Sequence, residues 1–532
     1  MKQKSAPVPS GRVSLVGAGP GDPELLTLRA QEKLRQADLV LYDALVHPEI
    51  LRHCRPDAVQ EFVGKRAGRP SARQETICAR MQEAATAGLK VVRLKGGDPY
   101  MFGRGSEEAE FLAAAAVPFD VVPGVSAPAA VAAYAGMSLT HRHHAASVAY
   151  LTATESALKD RSTHDWSKLA TATQTLVIFM GRRKLASLMQ LLIEHGRDPN
   201  TPAAVVQSAS LPGQRSVVGT VATIATQAAA ANVGMPALTV VGAVVGLRPE
   251  LGWYEALPLF GQRIWVLRPE PQSRALCRAL SAAGADAVAL PMLRIGPPDD
   301  PQPLQAATQA LSEYAWLGFT SQHGVEAFFT ALHAGERDSR ALAGLRIAAV
   351  GQATTAALAA RGVRPDCVPA VAEGLALAQA MQKVAAQAAD TALAGVRVLL
   401  ARAQVARPEL PQQLRAAGAH VDDMPAYQSL GPDAATCAAL ADAYRGAPPD
   451  AILFTSPSTT DHLLRALKTV DAHAHTWLKA RTRVAIGPTT ACHLDSLGLP
   501  AQVVARAASD AGLVQALISH TATAPKPPQA AT

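Results

Sequence analysis

Short apolar runs that end in glycine or an acid, each followed by a helix-like segment, recur along the first half of this chain. In order they are RVSLVGAG, LVLYD, KVVRLKGG, FDVVPG and TLVIFMG. Strands that alternate with helices in this way usually pair in parallel, because each helix carries the chain back across the sheet. The pattern predicts an α/β fold with mainly parallel sheets. At 532 residues the chain is too long for one hydrophobic core, so we expect several domains.

The glycine turn after the first run, GAGPGDP at 17–23, allows two interpretations. A strand, a glycine turn and a helix together often bind the phosphates of a dinucleotide, and Asp43 stands near the place of a ribose-binding acid. The dinucleotide fingerprint is G-x-G-x-x-G, however, whereas these glycines are Gly17, Gly19 and Gly21. On the loop alone, an NAD site and a purely structural turn both remain open.

Composition and charge argue against several classes of protein. Charged residues make up 17% of the chain, aromatic residues only 4%, and the net charge is +7. Scattered Lys and Arg with few aromatic residues argue against nucleic acid, and an acidic small molecule explains the positive balance more simply. The six cysteines form no C-x-x-C pair, so we expect reduced thiols in a cytoplasm. The uncharged stretch 216–247 is broken by Gly234 and Pro236, so we expect no membrane span.

The histidine-rich segment HRHH at 141–144 raises the question of a metal. No acid or cysteine lies nearby in sequence to complete a ligand set, so we expect no metal there. Arg142 suits a substrate carboxylate instead, because a guanidinium forms strong paired hydrogen bonds with that group.

The strand–helix pattern stops around 251–258 and restarts with RIWVLRP, which predicts a domain boundary there. The second half then repeats itself. FTSQHGVEAF at 319–328 returns as FTSPSTTDHL at 454–463, and VGQATTAALAARGV at 350–363 returns as IGPTTACHLDSLGL at 486–499. Each unit is too long for a solenoid repeat, so we expect two duplicated lobes that face a ligand cleft.

Six motifs of the first half follow one another in a specific order. They are YDALV, VGKRAG, RLKGGDPYMFGRGSEE, VVPGVSAPAA, LTHR and IFMG. Over about 12–255, this set closely resembles uroporphyrinogen-III C-methyltransferase, of the tetrapyrrole methylase family. The resemblance implies two α/β subdomains with a trough between them that holds a folded S-adenosylmethionine, and a first loop that binds no pyrophosphate.

The resemblance also implies roles for individual residues. The implied cofactor-binding residues are Pro20, Gly96, Gly97, Asp98, Met101, Ser126, Ala127, Met180 and Ala209. Asp98 would hold a ribose hydroxyl or the amino group, and Met180 would pack against adenine. Asp43 matches the proton acceptor, Lys65 the proton donor, and Arg142 a partner of substrate carboxylates.

Two of these residues have a purely structural alternative, and two segments differ from the usual sequence of the family. In one alternative, Asp98 only stabilises its own turn. In another, Met180 is a residue of the hydrophobic core. Ala209 replaces the usual glycine of the family, and its Cβ strains the loop if that position needs a positive φ. Thr152-Ala-Thr154 likewise departs from the usual TGH.

The duplicated lobes resemble uroporphyrinogen-III synthase over about 260–520. The matching segments are FTS in both lobes, VGQAT, MPAY and IGPTT. The resemblance implies two α/β lobes, about 260–293 plus 430–520 and 295–427, joined by two crossing strands near 293–295 and 427–430.

This second resemblance also implies roles for single residues. Tyr427 suits the acid that assists departure of a hydroxyl. The alternative is a half-buried packing residue with its hydroxyl in water. Thr354, Ser456, Thr489 and Thr490 suit carboxylate binding at helix starts, with simple N-capping as the alternative for the last two.

Together the two resemblances imply a bifunctional enzyme. It would cyclise hydroxymethylbilane with inversion of ring D to uroporphyrinogen III, then methylate that product twice with S-adenosylmethionine to precorrin-2, for sirohaem or cobalamin. The eight carboxylates of these tetrapyrroles fit the positive net charge. We expect no metal, no nucleic acid, a cytoplasmic location and a homodimer through the methyltransferase half.

The expected domains are a methyltransferase at 11–255 and a synthase at 256–520, with disordered tails at 1–10 and 521–532. Two other classes of function are alternatives to the bifunctional tetrapyrrole enzyme. An NAD-dependent oxidoreductase rests on the first loop alone, and a non-enzymatic bilobal ligand-binding protein rests on the duplicated lobes alone.

Overall fold

The computed structural model describes residues 11–64, 73–154, 164–270, 272–388 and 393–523. These residues form two compact units. The first contains residues 11–263, 279–287 and 517–523, and the second contains residues 264–278 and 288–516. The domain boundaries expected from the sequence remain a proposal. Among the described residues, no helix combines the length and the apolar character needed to cross a bilayer.

Residues 11–134 form a parallel sheet with helices between its strands. The strands are Arg12–Gly17 (β1), Leu39–Tyr42 (β2), Val59–Phe62 (β3), Lys90–Lys95 (β4) and Phe119–Val122 (β5). The helices are Leu28–Gln36 (α1), Pro48–Leu51 (α2), Gln74–Thr86 (α3), Gly105–Ala114 (α4) and Ala127–Tyr134 (α5). The strand order is β3-β2-β4-β1-β5, and every neighbouring pair is parallel. β1 and β4 are buried along almost their whole length, as expected for parallel strands that are covered on both faces.

Residues 148–251 form a second sheet of mixed direction. Its strands are Val148–Thr152 (β6), Thr175–Phe179 (β7), Pro202–Gln207 (β8), Arg215–Thr220 (β9) and Ala237–Val241 (β10). The helices are Trp166–Ala172 (α6), Leu185–Glu194 (α7), Ile224–Ala230 (α8) and Arg248–Leu251 (α9). In the order β6-β7-β10-β8-β9, only β6 and β7 are parallel. The prediction of mainly parallel sheets is wrong here, because the link between β8 and β9 is too short for a crossover helix and closes a hairpin.

The remaining elements build two further sheets. The strands are Arg263–Val266 (β11), Asp286–Ala289 (β12), Arg294–Gly296 (β13), Trp316–Phe319 (β14), Arg346–Ala349 (β15), Arg397–Ala403 (β16), His420–Leu430 (β17), Ala451–Phe454 (β18), Thr482–Ala485 (β19) and Val503–Val504 (β20). The helices are Gln272–Ala282 (α10), Gln302–Gln309 (α11), Gln322–Ala334 (α12), Gln352–Ala359 (α13), Gly374–Ala388 (α14), Glu409–Ala416 (α15), Ala434–Arg445 (α16), Pro457–Val470 (α17), Ala474–Lys479 (α18), Pro488–Ser496 (α19) and Asp510–Thr523 (α20). The sheet orders are β12-β11-β18-β19-β20 and β13-β17-β16-β14-β15.

These two sheets repeat one another. β11, β18 and β19 are parallel neighbours in the first, as β16, β14 and β15 are in the second. The repeated FTS segments end β18 and β14, and the repeated GPTT and GQAT segments follow β19 and β15. The predicted duplication and the α/β fold class are therefore confirmed.

The two segments expected to cross between the lobes pair with each other. β13 runs antiparallel to the end of β17, with Arg294 opposite Leu430. At the ends of the chain, the expected tail at 1–10 lies outside the described residues. Of the expected tail at 521–532, residues 521–523 belong to α20, and the remainder lies outside the described residues.

Candidate functional site

Four loops that carry predicted site residues leave the same edge of the first sheet. Asp43 follows β2, Gly96–Met101 follow β4, Pro20 follows β1, and Ser126 and Ala127 follow β5. The carboxyl ends of parallel strands meet at one edge, and β2, β4, β1 and β5 are successive neighbours. The structure therefore brings these predicted residues together.

Glycines let the backbones of these loops touch. A Cβ on Gly124 would lie 2.2 Å from the carbonyl oxygen of Gly97 and 2.9 Å from the Cα of Gly17, so no side chain fits there. Gly97 donates to the Gly19 carbonyl at 2.7 Å and accepts from the Gly19 N–H at 3.2 Å. Gly97 itself has a φ of +69°, which favours glycine. The loops after β1, β4 and β5 are thus packed backbone against backbone.

The first loop is not built to hold a pyrophosphate. A dinucleotide loop directs free amides toward the phosphates at a helix N-terminus. Here the Ala18 N–H donates to the Lys95 carbonyl at 2.7 Å, and the Gly19 N–H donates to the Gly97 carbonyl at 3.2 Å. The Asp22 carboxylate caps the next helical turn, where its Oδ1 accepts the Glu24 N–H at 2.9 Å. A carboxylate at that helix start disfavours a phosphate, so the geometry argues against an NAD site.

Asp98 connects two of the loops. Its Oδ1 accepts the Tyr100 N–H at 2.8 Å, and its Oδ2 accepts the Gly124 N–H at 3.1 Å. The bracing role considered as an alternative is therefore real, and it extends to the loop after β5. Each carboxylate oxygen accepts more than one hydrogen bond, so bracing leaves acceptor capacity for a ligand.

Backbone strain is concentrated in the loops that carry the predicted cofactor residues. Among the described residues eight non-glycine residues have a positive φ, and five of them lie in these loops: Phe102, Arg104, Met180, Ser208 and Ser210. Such conformations persist only where the surroundings hold them, and they cluster at binding sites. Met180 is 50% exposed, so it is not the core residue that the alternative supposed.

Ala209 does not have the positive φ that would make its Cβ strained. The left-handed residues are its neighbours Ser208 and Ser210, at +49° and +72°. Ala209 is buried and packs with Val206 and Leu238. The strain expected from alanine in place of glycine is therefore absent at this position.

Asp43, the predicted proton acceptor, is tied to a buried charge network. Arg93 Nη2 lies 2.7 Å from Asp43 Oδ1, while Arg93 Nε and Lys95 Nζ lie 3.1 and 3.0 Å from Glu108 Oε1. The side chains of Arg93, Lys95 and Glu108 are at most 4% exposed. Burial lowers the pKa of Lys95, because it removes water from the charged ammonium. The network holds the Asp43 carboxylate at the sheet edge beside a fixed cation.

Two further candidates of this half are Lys65 and Arg142. Lys65 lies outside the described residues. Arg142 is exposed in a turn that is closed by a hydrogen bond from the His141 N–H to the Ala145 carbonyl, 2.8 Å long. In the described ranges, no group of three His, Cys, Asp or Glu side chains is placed to hold a metal.

In the second half, helix N-termini gather at the carboxyl ends of neighbouring strands. β18 leads into α17 and its parallel neighbour β19 into α19, and β14 with α12 and β15 with α13 repeat the arrangement. Helix N-termini present unpaired N–H groups and the positive end of the helix dipole to carboxylates. Each of the two sheets therefore carries a pair of adjacent helix starts at the carboxyl ends of parallel strands.

Ser456 is the N-cap of α17, and its hydroxyl is engaged. Its Oγ accepts the Thr459 N–H at 3.2 Å, and Thr459 Oγ1 accepts the Ser456 N–H at 3.3 Å. This reciprocal pair is a capping box. Ser456 thus fixes the helix start and lies next to any anion bound there.

The predicted threonines differ in exposure. α13 and α19 each begin after an extended glycine, Gly351 and Gly487, and neither helix has a side-chain cap. Thr489 is exposed, whereas Thr354 and Thr490 are only 2% and 3% exposed. The N-capping alternative for Thr489 and Thr490 is wrong, because Gly487 occupies the cap position.

Tyr427 is half-buried on β17, with its ring against the core of the second lobe. Ser321 Oγ donates to the Tyr427 hydroxyl at 2.9 Å and accepts the Gly324 N–H at the start of α12 at 3.0 Å. The His323 ring lies edge-on, with 5.7 Å between ring centroids. A donor at the phenol oxygen stabilises the negative charge left when the phenol gives up a proton. The alternative is therefore right about packing and wrong about a hydroxyl that only meets water.

Comparisons with known proteins match two parts of the chain to two families. The family model described as Tetrapyrrole (Corrin/Porphyrin) Methylases matches residues 12–225, and the one described as Uroporphyrinogen-III synthase HemD matches residues 274–515. The porphyrin biosynthesis protein HemD of Ruminiclostridium josui is 35% identical over 483 residues, 90% of this chain and 92% of that protein. The chain belongs to these two families, fused in one polypeptide. It is a bifunctional enzyme of tetrapyrrole biosynthesis, with a methylase domain followed by a synthase domain.

Two further matches concern the methylase domain. A siroheme synthase of Pseudomonas fluorescens is 50% identical over 251 residues, 47% of this chain and 53% of that protein, so the chain spans about half its length. A crystal structure of uroporphyrin-III C-methyl transferase from Thermus thermophilus, complexed with S-adenyl homocysteine, is 40% identical. The matched region covers 44% of this chain and 99% of the Thermus thermophilus chain, with a TM-score of 0.38.

Sequence reasoning missed two features of these domains. Ser321 occupies in the first FTS segment the place that Ser456 occupies in the second, so the repeat itself contained the signal. Glu108 stands in a quoted motif of the methylase domain, next to Glu107. Only packing distinguishes them, because Glu108 is fully buried and Glu107 is half exposed.

Proposed function

We propose that the synthase domain cyclises hydroxymethylbilane with inversion of ring D to uroporphyrinogen III. The methylase domain then methylates this product at two carbons to give precorrin-2, for sirohaem or cobalamin. The product of one domain is the substrate of the other, which supports their fusion. The observation that carries the proposal is the convergence, at one edge of the first sheet of the methylase domain, of the four loops that hold Pro20, Asp43, Gly96–Met101 and Ser126–Ala127.

The methylase loops fit S-adenosylmethionine, which supplies an electrophilic methyl group when bound. A Cβ on Gly97 would project toward the amide nitrogen of Ala127, 3.9 Å away, into the space between the loops after β4 and β5. Asp98 has acceptor capacity left for a ribose hydroxyl, and the exposed Met180 offers apolar surface to adenine. The other proposed cofactor contacts are Pro20, Gly96, Met101, Ser126 and Ala209.

Methylation of a pyrrole carbon requires a proton to leave the macrocycle, and Asp43 is the proposed acceptor. Arg93 holds its Oδ1 at 2.7 Å, so the carboxylate is oriented before the substrate binds. Lys65 is the proposed donor, and Arg142 is the proposed partner of a substrate carboxylate.

In the synthase domain, Tyr427 is the proposed acid. It gives its proton to the departing hydroxyl of hydroxymethylbilane, the carbon–oxygen bond breaks, and water leaves behind a cationic azafulvene. The Ser321 hydroxyl, 2.9 Å from the phenol oxygen, stabilises the resulting phenolate. Substrate carboxylates bind at the helix starts beside Ser456 and Thr489. Thr490 lies beneath the surface at the start of α19, and Thr354 lies beneath the surface at the start of α13.

Three further properties are part of the proposal. They are a homodimer through the methylase domain, a cytoplasmic location and no requirement for a metal. Sedimentation of the full chain tests the first, fractionation of cells the second, and unchanged activity after chelation the third.

One experiment tests the proposed reactions together. The full chain is given hydroxymethylbilane with and without S-adenosylmethionine, and the products are separated by isomer and analysed by mass. We expect uroporphyrinogen III without the cofactor and a type III macrocycle with two added methyl groups with it. Calorimetry with S-adenosylhomocysteine and NAD supplies the second readout. Tight NAD binding with no response to S-adenosylhomocysteine would overturn the cofactor assignment.

A further inference from the structure

Two loops that carry proposed cofactor contacts from opposite sheets of the methylase domain meet directly. The first follows β1 and contains Pro20, and the second follows β8 and contains Ala209. The Asp22 N–H donates to Ser210 Oγ at 3.2 Å, across 188 positions of sequence. Beside this bond, Leu211 packs on Gly21 so closely that a Cβ on Gly21 would lie 2.8 Å from Leu211 Cγ.

The loop after β8 is held in a strained shape by a buried amide. Ser210 has a φ of +72°, and its N–H donates to Gln214 Oε1 at 3.0 Å. Gln214 Nε2 in turn donates to the Tyr134 carbonyl at 3.0 Å and to Glu255 Oε1 at 2.8 Å. Ser210 and Gln214 are 2% and 3% exposed, so water does not compete for these bonds.

The loop after β1 is held from the other side. The Tyr134 hydroxyl donates to Asp22 Oδ2 at 3.1 Å, while Asp22 Oδ1 accepts the Glu24 N–H at 2.9 Å. Burial, together with the negative charge of Asp22, raises the pKa of Tyr134 to about 12. The phenol therefore remains a hydrogen-bond donor throughout the neutral range. Tyr134 thus contacts both loops, Asp22 through its hydroxyl and Gln214 through its carbonyl.

We propose that Asp22, Tyr134, Ser210 and Gln214 form an inter-loop latch that sets the separation of Pro20 and Ala209, and thereby the affinity for S-adenosylmethionine. The four are positioning residues, because they act through the loops that touch the cofactor. The inference rests on the proposed function of the methylase domain. None of the sequence motifs singled out for chemistry includes Tyr134 or Gln214.

The test measures S-adenosylhomocysteine binding by calorimetry and steady-state methylation on the full chain. Ser210→Gly removes the hydroxyl but relieves the positive φ, so folding is preserved. Tyr134→Phe removes the bond to Asp22 with almost no change in volume. Ser147→Ala is the matched control, because Ser147 Oγ also accepts a backbone N–H at 3.2 Å, that of Gln174, away from the latch.

We expect each latch variant to raise the Kd of S-adenosylhomocysteine and the KM for S-adenosylmethionine about fivefold, the loss of one hydrogen bond. The kcat at saturating cofactor stays unchanged, and Ser147→Ala binds as the unmodified chain does. The double variant should lose less than the product of the two single losses, because both substitutions release the same Asp22.

Unchanged binding in Ser210→Gly and Tyr134→Phe, with normal binding by the unmodified chain, would overturn the latch alone. Losses that multiply independently in the double variant would also overturn it. Absence of S-adenosylhomocysteine binding by the unmodified chain would overturn the proposed function, and the latch with it.

Discussion

The two domains differ in how their backbones present the proposed site residues. In the methylase domain the residues lie on loops, and five non-glycine residues of those loops have a positive φ. In the described residues after 263, the non-glycine residue with a positive φ is Glu336, which follows α12 and belongs to no proposed site. The synthase candidates lie instead within β17 or in the first turns of helices.

The difference suggests two solutions to two binding problems. A small cofactor of definite shape is held best by loops already bent to fit it, and the strain is offset by buried hydrogen bonds elsewhere. A large, flexible tetrapyrrole with many carboxylates needs several anion sites at a distance from one another. The carboxylate sites that we propose at repeated helix starts have no positive-φ residue among the candidates.

We expect the largest effect from Asp98→Ala, which tests whether the methylase site depends on the geometry of its loops while the synthase site does not. Loss of the carboxylate removes the side-chain hydrogen bond from Asp98 to the loop after β5, and a displacement of about 1 Å can cost a hundredfold in rate. We expect methylation to fall by at least that factor while cyclisation of hydroxymethylbilane continues. Asp165→Ala is the control, because that exposed carboxylate bonds within its own turn. Equal loss of both activities would contradict independent domains.

Glu108→Ala should be the most destabilising change within the methylase domain. It leaves Lys95 buried without its anion and Arg93 with Asp43 as its remaining carboxylate partner, and breaking such a buried pair typically costs about 3–5 kcal/mol. Urea unfolding, followed by proteolysis of methylase peptides, measures the effect. Glu107→Ala is the matched control on the same helix, where an exposed pair with Arg104 should contribute less than about 1 kcal/mol. Equal unfolding midpoints for the two variants would show that the buried network does not stabilise the domain.

Tyr427→Phe tests the synthase side of the comparison. Loss of one general acid typically costs on the order of a hundredfold in rate. Hydroxymethylbilane then cyclises unaided, so isomer I should accumulate, while methylation of supplied uroporphyrinogen III is unchanged. Tyr314→Phe is the control, since that hydroxyl donates to Asp422 on the same strand at 2.8 Å. Undiminished isomer III from Tyr427→Phe would show that Tyr427 is not the acid and serves only in packing.

We expect the smallest effects from the two capping serines of the synthase domain, Ser321 and Ser456. Comparing them separates helix capping from a contribution to cyclisation. Ser321→Ala and Ser456→Ala should each lower the unfolding free energy of the synthase domain by about 1 kcal/mol. Only Ser321 also bonds to Tyr427, so Ser321→Ala should in addition slow cyclisation about fivefold. Isomer-resolved rates measured with urea midpoints separate the two roles. Equal cyclisation rates in both variants would assign Ser321 to capping alone.

Much of the fold was predictable because its signals are local. The alternation of apolar runs with helical segments predicted the α/β class, and the paired FTS segments predicted the duplication. The mixed direction of the second sheet was not predictable in the same way. β8 reads as an apolar run like β4, and only the hairpin at 208–214 shows that it pairs antiparallel with β9.

For the candidate site, too, the local features were predictable and the contacts between distant segments were not. Motif order placed Asp43, Asp98 and Ala127 at successive strand ends, because loops that leave one edge of a parallel sheet are neighbours. The motif order did not show that Asp98 joins two loops, or that Thr489 is exposed and Thr490 buried. These properties depend on which residues from distant segments lie beside each group.

The sequence by itself determined the order of domains, the duplicated lobes and the residue types at the strand ends, since periodicity and turn chemistry act over a few residues. Only the tertiary structure decided which of two adjacent glutamates is buried with Arg93 and Lys95. It also decided that Ser210, on the loop after β8, meets Asp22, on the loop after β1, and that Ser321 meets Tyr427 at a helix start. The physical reason is that burial, and hydrogen bonds between residues far apart in sequence, exist only once the chain has packed.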